Sequence, residues 1–558
     1  MGTYLNPGKR QYQKAVDSEI FVDKTEMIQF INTVINTNQQ YISVSRPRRF
    51  GKTMAADMLC AYYDREAESR ELFEDKKLAN CPPINLGKNG NNKTISWDSY
   101  LGKFDVIRIV MTDFVKEPMT ISEALKRLQK LVVRDLKKKY PEIDFFDDSD
   151  LPQAMADVFS ETETAFVIII DEWDSIFRQY KEDEEGQRAY LDFLRNWLKD
   201  KDYIALAYMT GILPIKKYGQ HSALNMFIEY SMTFPRQLAP YTGFTIDEVK
   251  ELCTQYNMQY SDVSDWYDGY VVTDRIPIKE RTAYRLGEYT GHKISLYSPF
   301  SVINAVSTGF IKNYWNATET YEALAEYIRM NLDGLQNTVA LLMDGAKVKV
   351  DTSTYQNDMK NFASKDDVLT MLIHLGYLGY NDQTSEVFIP NKEILEEFRT
   401  STKSEGWDAV FRAFKKSQAL LKATWSGNEE LVARYVEDAH NQAGNRTYND
   451  EAALSYAIRM AYYAAQRYYT IVPEFDSGKG FIDLLFIPIN ASEHPVLLIE
   501  LKYAQTAYTA IEQIKRQKYP ERLEHYRGNI LLVGINYNKD VKTTKDEFKH
   551  HTCKIERA

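Results

Sequence analysis

The first third of the chain alternates short apolar strands with amphipathic helical segments, and this alternation constrains the fold more than any other feature. Four runs rich in Val, Ile or aromatic residues predict buried strands: Tyr41–Ser45, Val106–Met111, Phe166–Ile170 and Tyr203–Met209. Helical patterns lie between them, for example at Ile121–Lys139 and Gly186–Lys199. We therefore expect a three-layer α/β domain built on a parallel sheet.

The length of 558 residues is too great for a single core, and roughly three to four domains are expected. We place a sheet domain at residues 1–239 and a helical lid region at 240–299. A mostly helical, winged-helix-like region follows at 300–400, and a last α/β domain occupies 401–558.

Composition and charge exclude several classes of protein. No apolar run approaches the roughly 18 residues of a membrane-spanning helix, and the N-terminus lacks the apolar segment of a secretory signal. Four widely separated cysteines without a CxxC pair argue against a zinc site or a disulfide framework and agree with a reducing cytoplasm. A net charge of −10 argues against a generally basic coat but allows a local basic cleft for nucleic acid.

The middle of the chain changes pattern. The sequence TIDE has the form of a capping box, so Thr245 predicts the start of a helix at Ile246–Tyr256. WYDGY, at Trp266–Tyr270, is typical of a turn with aromatic anchors, and the polar residues 274–294 predict an exposed loop. The region after Phe300 is mostly helical and ends in a pattern typical of a helix packed on a small β-hairpin.

The last block opens with amphipathic helices and continues with strand patterns. The predicted elements are a helix at Ala507–Lys518 and strands at Tyr469–Pro473, Phe481–Pro488, Val496–Lys502 and Ile530–Ile535. This order predicts a second, smaller α/β domain.

A glycine–lysine–threonine sequence follows the first predicted strand. Gly51, after Phe50, permits a tight turn, Lys52 is placed to contact a phosphate, and Thr53 is placed to bind Mg²⁺. A strand, a loop and then a helix beginning near Thr53 form the context that phosphate binding requires. Arg46 stands where the general GxxxxGK[ST] pattern has its first glycine.

Two carboxylates end the third predicted strand, FVIIIDEWD at Phe166–Asp174. Asp171 is placed to hold the water shell of Mg²⁺, and Glu172 is placed to orient an attacking water molecule. An acidic turn after a strand is common, but its conjunction with the GKT sequence at a spacing of one α/β domain favours a nucleotide site.

Three further polar residues belong to the predicted nucleotide site. Thr210, at the end of the fourth strand, either senses the γ-phosphate or is an ordinary strand-end threonine. Arg48 and Arg49 lie in the loop itself, where they either contact phosphates or are solvated, and we favour the contact.

The sequence resembles a bacterial family of two-module proteins that join an AAA-ATPase-like domain to a PD-(D/E)xK nuclease domain. The matching segments, which extend over nearly the whole chain, are FVDKT, RPRRFGKT, IIIDEWD, TGIL, GFT, WYDGY, YSPFSV, YW, GYL and IPN. In that family the arginine-rich loop is the usual form, so Arg46 is not a departure. The resemblance implies ATP and Mg²⁺ as cofactors.

A second site is predicted near the C-terminus. Asp483 lies on one strand, and Glu500 and Lys502 lie two residues apart on the next, so both of the latter face one way. A PD-(D/E)xK nuclease uses such carboxylates to hold Mg²⁺, with Mn²⁺ as a substitute, while the lysine assists the nucleophile or the developing charge.

Flanking residues strengthen this interpretation. A glycine-rich turn at 477–480 precedes Asp483, and Gln513 follows in a helix of the AxxQI form that accompanies the nuclease strands in the family, together with Tyr519. The helical glutamate of the site is Glu451, with Glu474 as the alternative. The family usually has Arg after the glycine turn, where this chain has Phe481.

The leading hypothesis is an ATP-dependent or ATP-regulated, metal-dependent nuclease that cuts nucleic acid, with DNA favoured, in defence against foreign DNA or in mobile-element biology. The alternative is an ATP-binding switch protein whose last domain only holds nucleic acid, in which Glu500→Ala would leave function intact. A toxin-like effector that acts on host nucleic acid would use the same nuclease chemistry. The chain could form a homo-oligomer, and no membrane partner is expected. We interpret His374 as a core residue, and His550 with His551 as part of a solvated tail.

Overall fold

In the computed structural model the chain forms two compact units, so that the two predicted sites fall in different units. The first unit consists of residues 1–335 and 348–400, and the second of residues 336–347 and 401–558. The structure describes residues 2–88, 91–115, 118–215, 217–218, 221–222, 224–273, 293–315, 321–356, 362–403, 407–443, 458–459, 461–476, 481–490, 493–517, 523, 529–538 and 550–558. The four-domain division stays a prediction.

The described strands up to residue 400 fall into several small sheets and one larger one. In chain order they are β1 (Tyr41–Ser45), β2 (Ile84–Lys88), β3 (Asn91–Ile95), β4 (Asp105–Val110), β5 (Phe166–Asp171), β6 (Ile204–Gly211), β7 (Lys217–Tyr218), β8 (His221–Ser222), β9 (Ile228–Tyr230), β10 (Phe244–Thr245), β11 (Tyr270–Thr273), β12 (Lys293–Tyr297), β13 (Val348–Lys349), β14 (Gly379–Asn381) and β15 (Glu386–Phe388).

The described α-helices up to residue 401 lie before, between and after these strands. They are α1 (Arg10–Val16), α2 (Met27–Val34), α3 (Lys52–Tyr63), α4 (Ile121–Lys139), α5 (Leu151–Thr162), α6 (Ser175–Gln179), α7 (Glu184–Leu198), α8 (Ile246–Gln255), α9 (Tyr260–Tyr267), α10 (Pro299–Thr308), α11 (Tyr321–Arg329), α12 (Leu335–Met343), α13 (Lys365–Leu375) and α14 (Lys392–Ser401).

A five-stranded parallel sheet forms the centre of the first unit, in the order β4-β5-β6-β1-β9. The first four of these strands lie within two residues of the ends expected from the sequence. Alternate residues of β5 face two cores: Ile168 packs in a core with α4, α5 and α7, and Ile169 packs in a core with α2 and α3. The predicted three-layer α/β architecture is therefore confirmed.

The region after the sheet contains a small antiparallel sheet, ordered β10-β12-β11. Thr245 caps α8 in the expected capping box with Glu248. The predicted turn at Trp266–Tyr270 is narrower than expected, because α9 continues to Tyr267 and β11 starts at Tyr270. Residues 274–292 lie outside the described residues, and the end of the predicted loop is a strand, since β12 starts at Lys293.

A helix and hairpin lie near the end of the first unit, as the sequence predicts, and α14 follows them. α13 is followed by the antiparallel pair β14 and β15, and β13 pairs with β15 on its other side. His374 on α13 is buried and stacks on Tyr355, which confirms its interpretation as a core residue.

The second unit contains a mixed five-stranded sheet in the order β16-β17-β18-β19-β20. Its elements are α15 (Trp407–Trp425), α16 (Glu429–Ala443), β16 (Tyr469–Asp476), β17 (Phe481–Pro488), β18 (Val496–Tyr503), α17 (Ala507–Arg516), β19 (Ile530–Tyr537) and β20 (His551–Arg557). β18 and β19 are parallel, and the other neighbours are antiparallel.

The two faces of this sheet are covered by different helices. Ile499 and Leu501 face a core that includes α15 and α16, whereas Leu498 faces a core that includes α17. The side chains at alternate positions of β18, among them Glu500 and Lys502, therefore lie on the α17 face. No described helix is long and apolar enough to cross a membrane.

The predicted solvated tail is wrong. His551 begins β20, is buried, and places its ring Nδ1 2.8 Å from a carboxylate oxygen of Glu437 on α16. The same carboxylate accepts the backbone N–H groups of His550 and His551 at 2.9 Å each. These bonds hold the C-terminal strand against α16.

Candidate nucleotide and metal sites

The loop between β1 and α3 has the geometry that phosphate binding requires. β1 ends at Ser45, and α3 begins at Lys52, directly after Gly51. Gly51 has a φ of 82°, a left-handed conformation that favours glycine. The loop therefore leads from a buried central strand into the N-terminus of a helix of twelve residues, whose first N–H groups have no partner within the helix.

Lys52 is folded back onto this loop. Its Nζ atom donates hydrogen bonds to the carbonyl oxygens of Arg46 at 2.9 Å and Pro47 at 2.7 Å. Burial lowers the pKa of Lys52 to about 8, although the carboxylates of Asp174, Asp171 and Glu172 act in the opposite direction. The lysine lies inside the loop, with carbonyl oxygens as its partners.

Asp171, at the end of β5, joins several of the predicted residues. Its Oδ1 atom accepts hydrogen bonds from the Thr210 hydroxyl and, at 3.0 Å, from the Glu172 N–H, and its carboxylate also interacts with the Thr53 hydroxyl. Burial would raise the Asp171 pKa, but Arg108 and the Thr210 and Thr53 hydroxyls lower it below the ordinary value. The structure thus brings Thr53, Asp171 and Thr210 together.

Glu172 occupies a left-handed backbone conformation, with a φ of 52°. Its side chain is 40% exposed, and one carboxylate oxygen lies 3.2 Å from Nη2 of Arg178 on α6. Glu172 also lines the cavity that contains Lys52 and Thr53. The predicted water-orienting carboxylate is therefore near the loop and is held by an arginine.

Asp174 has a role that the sequence reasoning missed. It is fully buried, and its Oδ2 atom accepts hydrogen bonds of 3.0 Å from the backbone N–H groups of Ile212 and Leu213. These bonds tie the DEWD segment to the TGIL segment and fix the end of β6, where Thr210 lies. The signal was present in the sequence as two motifs that lie at the ends of neighbouring strands.

The Arg46 side chain is directed toward the edge of the sheet. Its Nη1 atom donates to the carbonyl oxygens of Ser45 and of Tyr230, on β9, at 2.8 Å each. Burial lowers the Arg46 pKa to about 10. Arg46 is not among the described residues that line the cavity, so only its backbone carbonyl, bound to Lys52, takes part in the site as the structure shows it.

A cavity of about 550 Å³ opens beside the loop. One group of its lining residues is polar and comprises Arg48, Arg49, Lys52, Thr53 and Glu172. A second group is apolar and comprises Phe21, Val22, Met58, Phe244, Phe300 and Ile303. Sequence reasoning did not assign the apolar wall, although three segments that contribute to it, FVDKT, GFT and YSPFSV, carry the family resemblance.

The side chains of the loop pack on the region that follows the sheet. The Arg49 guanidinium lies 3.6 Å from the ring centre of Phe300 on α10, and the Phe50 ring meets Tyr270 edge-on at 5.3 Å. A Cβ atom on Gly376 would lie 2.8 Å from Cβ of Pro47, so the glycine permits this close approach. The phosphate loop is therefore held by three elements outside the sheet.

The second unit brings Asp483, Glu500, Lys502 and Gln513 together. The pairing of Leu484 with Ile499 makes Asp483 and Glu500 the next pair along β17 and β18. Lys502 Nζ lies 2.9 Å from Oε1 of Glu500, and the Gln513 amide donates to the same oxygen.

The surroundings of this cluster fix its carboxylates. The Leu501 N–H donates a hydrogen bond of 2.7 Å to Oδ2 of Asp483, and Glu500 is almost completely buried. Glu451, residues 477–480 and Tyr519 lie outside the described residues, as do the side chains of Glu474 and Phe481. The choice between Glu451 and Glu474 therefore stays a prediction.

Both sites offer donors that suit a hard divalent cation. Within the described ranges, no group of three or more His, Cys, Asp or Glu side chains is placed to hold a metal ion. Mg²⁺ usually retains several water molecules and takes one or two carboxylates from the protein. The pairs Thr53 with Asp171 and Asp483 with Glu500 therefore fit Mg²⁺ or Mn²⁺ by donor chemistry.

Comparisons with known proteins agree with both units. Residues 8–220 match the family described as "Predicted AAA-ATPase", and residues 452–547 match the PD-(D/E)XK nuclease superfamily. No curated protein matches the chain. A solved structure of the ORC2 protein of Aeropyrum pernix, in ADPNP–ADP complexes, covers 73% of this chain and 98% of its own at 11% identity. The TM-score of this match is 0.28. The chain thus carries an AAA-ATPase-like domain and a PD-(D/E)XK nuclease domain.

Proposed function

We propose that this protein is an ATP-regulated, metal-dependent nuclease with DNA as its substrate. The observation that carries the proposal is the presence of two assembled sites in one chain. Lys52 and Thr53 line a cavity in the first unit, and the Asp171 carboxylate interacts with the Thr53 hydroxyl. Asp483 and Glu500 meet, with a lysine and a glutamine, in the second unit.

The first unit supplies the chemistry of ATP binding. We assign the apolar wall, with Phe21 and Phe244, to the base, and the polar wall, with Lys52, to the phosphates. Thr53 and Asp171 would hold Mg²⁺, which neutralises charge on the β- and γ-phosphates when it is bound. Arg48 and Arg49 line the same cavity and add positive charge.

Glu172 is assigned to orient the water molecule that attacks the γ-phosphorus. In the described structure its carboxylate is paired with Arg178. Turnover therefore requires Glu172 to leave Arg178 or to act with the oxygen that Arg178 does not hold. Thr210 shares Asp171 and lies at the end of the neighbouring strand, which suits a γ-phosphate sensor.

Nucleotide binding is expected to change the loop, because Lys52 is engaged with loop carbonyls. A phosphate oxygen is a charged acceptor and competes well with neutral carbonyl oxygens. The loop side chains Pro47, Arg49 and Phe50 contact elements between residues 240 and 400. We propose that this region moves with the nucleotide state and thereby controls cutting.

The second unit supplies phosphodiester hydrolysis. Asp483 and Glu500 would hold Mg²⁺ or Mn²⁺, whose charge activates water and stabilises the pentavalent phosphate. Gln513 orients the Glu500 carboxylate, and Lys502 assists the attacking water. The water oxygen attacks phosphorus and gives up a proton, the ester P–O bond breaks, and the departing oxygen takes up a proton.

We infer defence against foreign DNA, or mobile-element biology, from the pairing of the two domains alone. A cytoplasmic location and a homo-oligomer that shares an arginine between subunits are compatible extensions of this proposal.

A switch protein that only holds nucleic acid is the second candidate, and one observation favours it. Oε1 of Glu500 is bound by both Lys502 and Gln513, so a metal ion that binds through this oxygen must displace or share these donors. An active nuclease predicts that Mg²⁺ or Mn²⁺ binds Glu500 despite these contacts.

Cleavage assays separate the two candidates. Linear, circular and single-stranded DNA, together with RNA, would be incubated with Mg²⁺ or Mn²⁺, with and without ATP. The nuclease proposal predicts cutting that Glu500→Ala abolishes while ATP hydrolysis continues. If wild-type protein hydrolyses ATP and binds but never cuts nucleic acid, the switch candidate replaces it.

A further inference from the structure

A buried arginine links the predicted metal carboxylate to the phosphate-loop helix. Arg108 on β4 places Nη2 3.1 Å from Oδ2 of Asp171 and 3.1 Å from Oδ1 of Asp57. Its Nε lies 3.3 Å from the same Asp57 oxygen, and its Nη1 donates to the carbonyl of Ile109. Arg108 is only 9% exposed, so these partners account for its position.

The fold explains why one side chain reaches both carboxylates. Arg108 is opposite Ile169 in the parallel pairing of β4 with β5, two residues before the pair of Val110 with Asp171. Asp57 lies on α3 four residues after Thr53, and residues four apart share one face of a helix. Arg108 therefore bridges the strand that carries Asp171 and the helix that carries Thr53.

This bridge has two physical consequences for a bound cation. Arg108 occupies Oδ2 of Asp171, while Thr210 and the Glu172 N–H occupy Oδ1, so the carboxylate cannot rotate freely. The guanidinium is also a permanent positive charge beside a predicted metal ligand, and it lowers the attraction of that site for a cation. Arg108 is therefore expected to fix the orientation of the Asp171 carboxylate and, at the same time, to reduce the affinity of the site for a cation.

We propose that Arg108 is a positioning residue of the ATPase site: it fixes the Asp171 carboxylate relative to Thr53 and moderates how tightly the site holds a divalent cation. The inference rests on the proposed function, because it assumes that Asp171 and Thr53 hold Mg²⁺ with ATP. An arginine that only stabilises the fold is the competing explanation, and it makes a different prediction.

The test compares Arg108→Met, Arg108→Lys and Asp57→Asn in the full chain. Two quantities are measured: the Mg²⁺ concentration that half-saturates the complex with a fluorescent ATP analogue, and kcat with KM for ATP hydrolysis. Arg70→Met is the matched control, because Arg70 forms a surface pair with Asp98 and is 57% exposed.

The proposal predicts tighter Mg²⁺ binding together with slower ATP hydrolysis. Arg108→Met lowers the half-saturating Mg²⁺ concentration by about threefold or more, because a repelling charge is removed. The same variant lowers kcat by about tenfold or more, because the carboxylate is no longer fixed, with little change in KM. Arg108→Lys keeps the charge but loses the two-point contact, so Mg²⁺ dependence returns to the wild-type value while kcat stays low.

Asp57→Asn keeps the pair of Arg108 with Asp171 and provides a second variant if Arg108→Met does not fold. A smaller fall in kcat is expected, with a higher half-saturating Mg²⁺ concentration than wild type, because a negative charge near the site is removed and Arg108 stays. Unchanged kcat and Mg²⁺ dependence in Arg108→Met, or a parallel weakening of both with a lower Tm, would overturn the inference. Absence of ATP binding in the wild-type protein would instead overturn the proposed function.

Discussion

Lys52 donates a hydrogen bond of 2.7 Å to the carbonyl oxygen of Pro47, within the loop that both residues define. Pro47 in turn packs against Gly376, at the turn between α13 and β14. Lys52, the residue expected to bind a phosphate, is thus connected through Pro47 to an element that lies far later in the chain. The loop that carries Lys52 is therefore in packing contact with the middle region.

Loss of Lys52 should remove nucleotide binding without unfolding the protein. Lys52→Ala leaves two loop carbonyls without their donor and removes the charge expected to meet the phosphates. We expect affinity for ATP to fall about a hundredfold, from the loss of a charge-assisted contact. Equilibrium binding of a fluorescent ATP analogue measures this, and an affinity within threefold of wild type would contradict the assignment of the loop.

Gly376→Ala should weaken both stability and nucleotide binding. Gly376 has a φ of 89°, and a Cβ atom there meets Pro47 at 2.8 Å. Gly309→Ala is the matched control, because its φ is 71° but a Cβ atom meets nothing within 4 Å. Alanine is strained in a left-handed conformation, so denaturant unfolding should show both variants destabilised by about 1–2 kcal/mol. Only Gly376→Ala should also alter ATP affinity, and equal ATP affinities in the two variants would refute the coupling.

Glu393 should make stability depend on pH. It is buried on α14 and accepts the N–H groups of Tyr314 and Trp315 and the Ser301 hydroxyl. Burial raises the Glu393 pKa to about 7, against the effect of these hydrogen bonds. The folded state therefore binds more protons than the unfolded state between the ordinary glutamate pKa and about 7, so this contribution to stability falls as pH rises through that window.

Glu393→Gln isolates this contribution, since a neutral amide oxygen can still accept the two backbone N–H groups. We expect the variant to gain stability relative to wild type as pH rises from 5 to 8, measured by urea unfolding at each pH. Glu393→Ala should lose about 3 kcal/mol, because buried N–H groups lose their acceptor. If the free energies of unfolding of Glu393→Gln and wild type differ by the same amount at every pH, the carboxylate does not titrate in this range.

Gln513 should support cutting without contributing to ATP hydrolysis. It donates to the Glu500 carboxylate from α17. Gln513→Ala is expected to reduce metal affinity or cleavage by about 10- to 100-fold, the usual effect of removing a residue that orients a metal ligand. Glu512→Gln, on the exposed side of the same helix, is the control. Equal cleavage by the two variants would remove Gln513 from the site.

Local patterns predicted much of this fold. The strands that end at Ser45 and Asp171 are continuous apolar runs, and such runs identify buried parallel strands without knowledge of their neighbours. The GKT sequence and the two carboxylates at the end of β5 could also be predicted. Each of them lies at the end of a strand, and the apolar residues of that strand indicate where it ends.

Contacts between residues that lie far apart in the chain could not be predicted from local patterns. Arg108 lies in an apolar strand, and nothing local indicates that it meets Asp57 and Asp171. The apolar wall of the cavity joins Phe21 to Phe244 across most of the first unit. Strand β20 was missed because its polar residues suggested a tail, although His551, Cys553 and Ile555 alternate as an edge strand requires.

The measurement that tests the central claim most directly is DNA cleavage over a series of ATP concentrations. Wild type, Lys52→Ala and Asp483→Ala would be compared under identical Mg²⁺ or Mn²⁺ conditions, with ATP hydrolysis followed in the same samples. The account predicts that wild-type cleavage changes with ATP, that Lys52→Ala cleaves at a rate independent of ATP, and that Asp483→Ala hydrolyses ATP but does not cut. Cleavage that persists in Asp483→Ala, or that responds to ATP equally in Lys52→Ala and wild type, would contradict it.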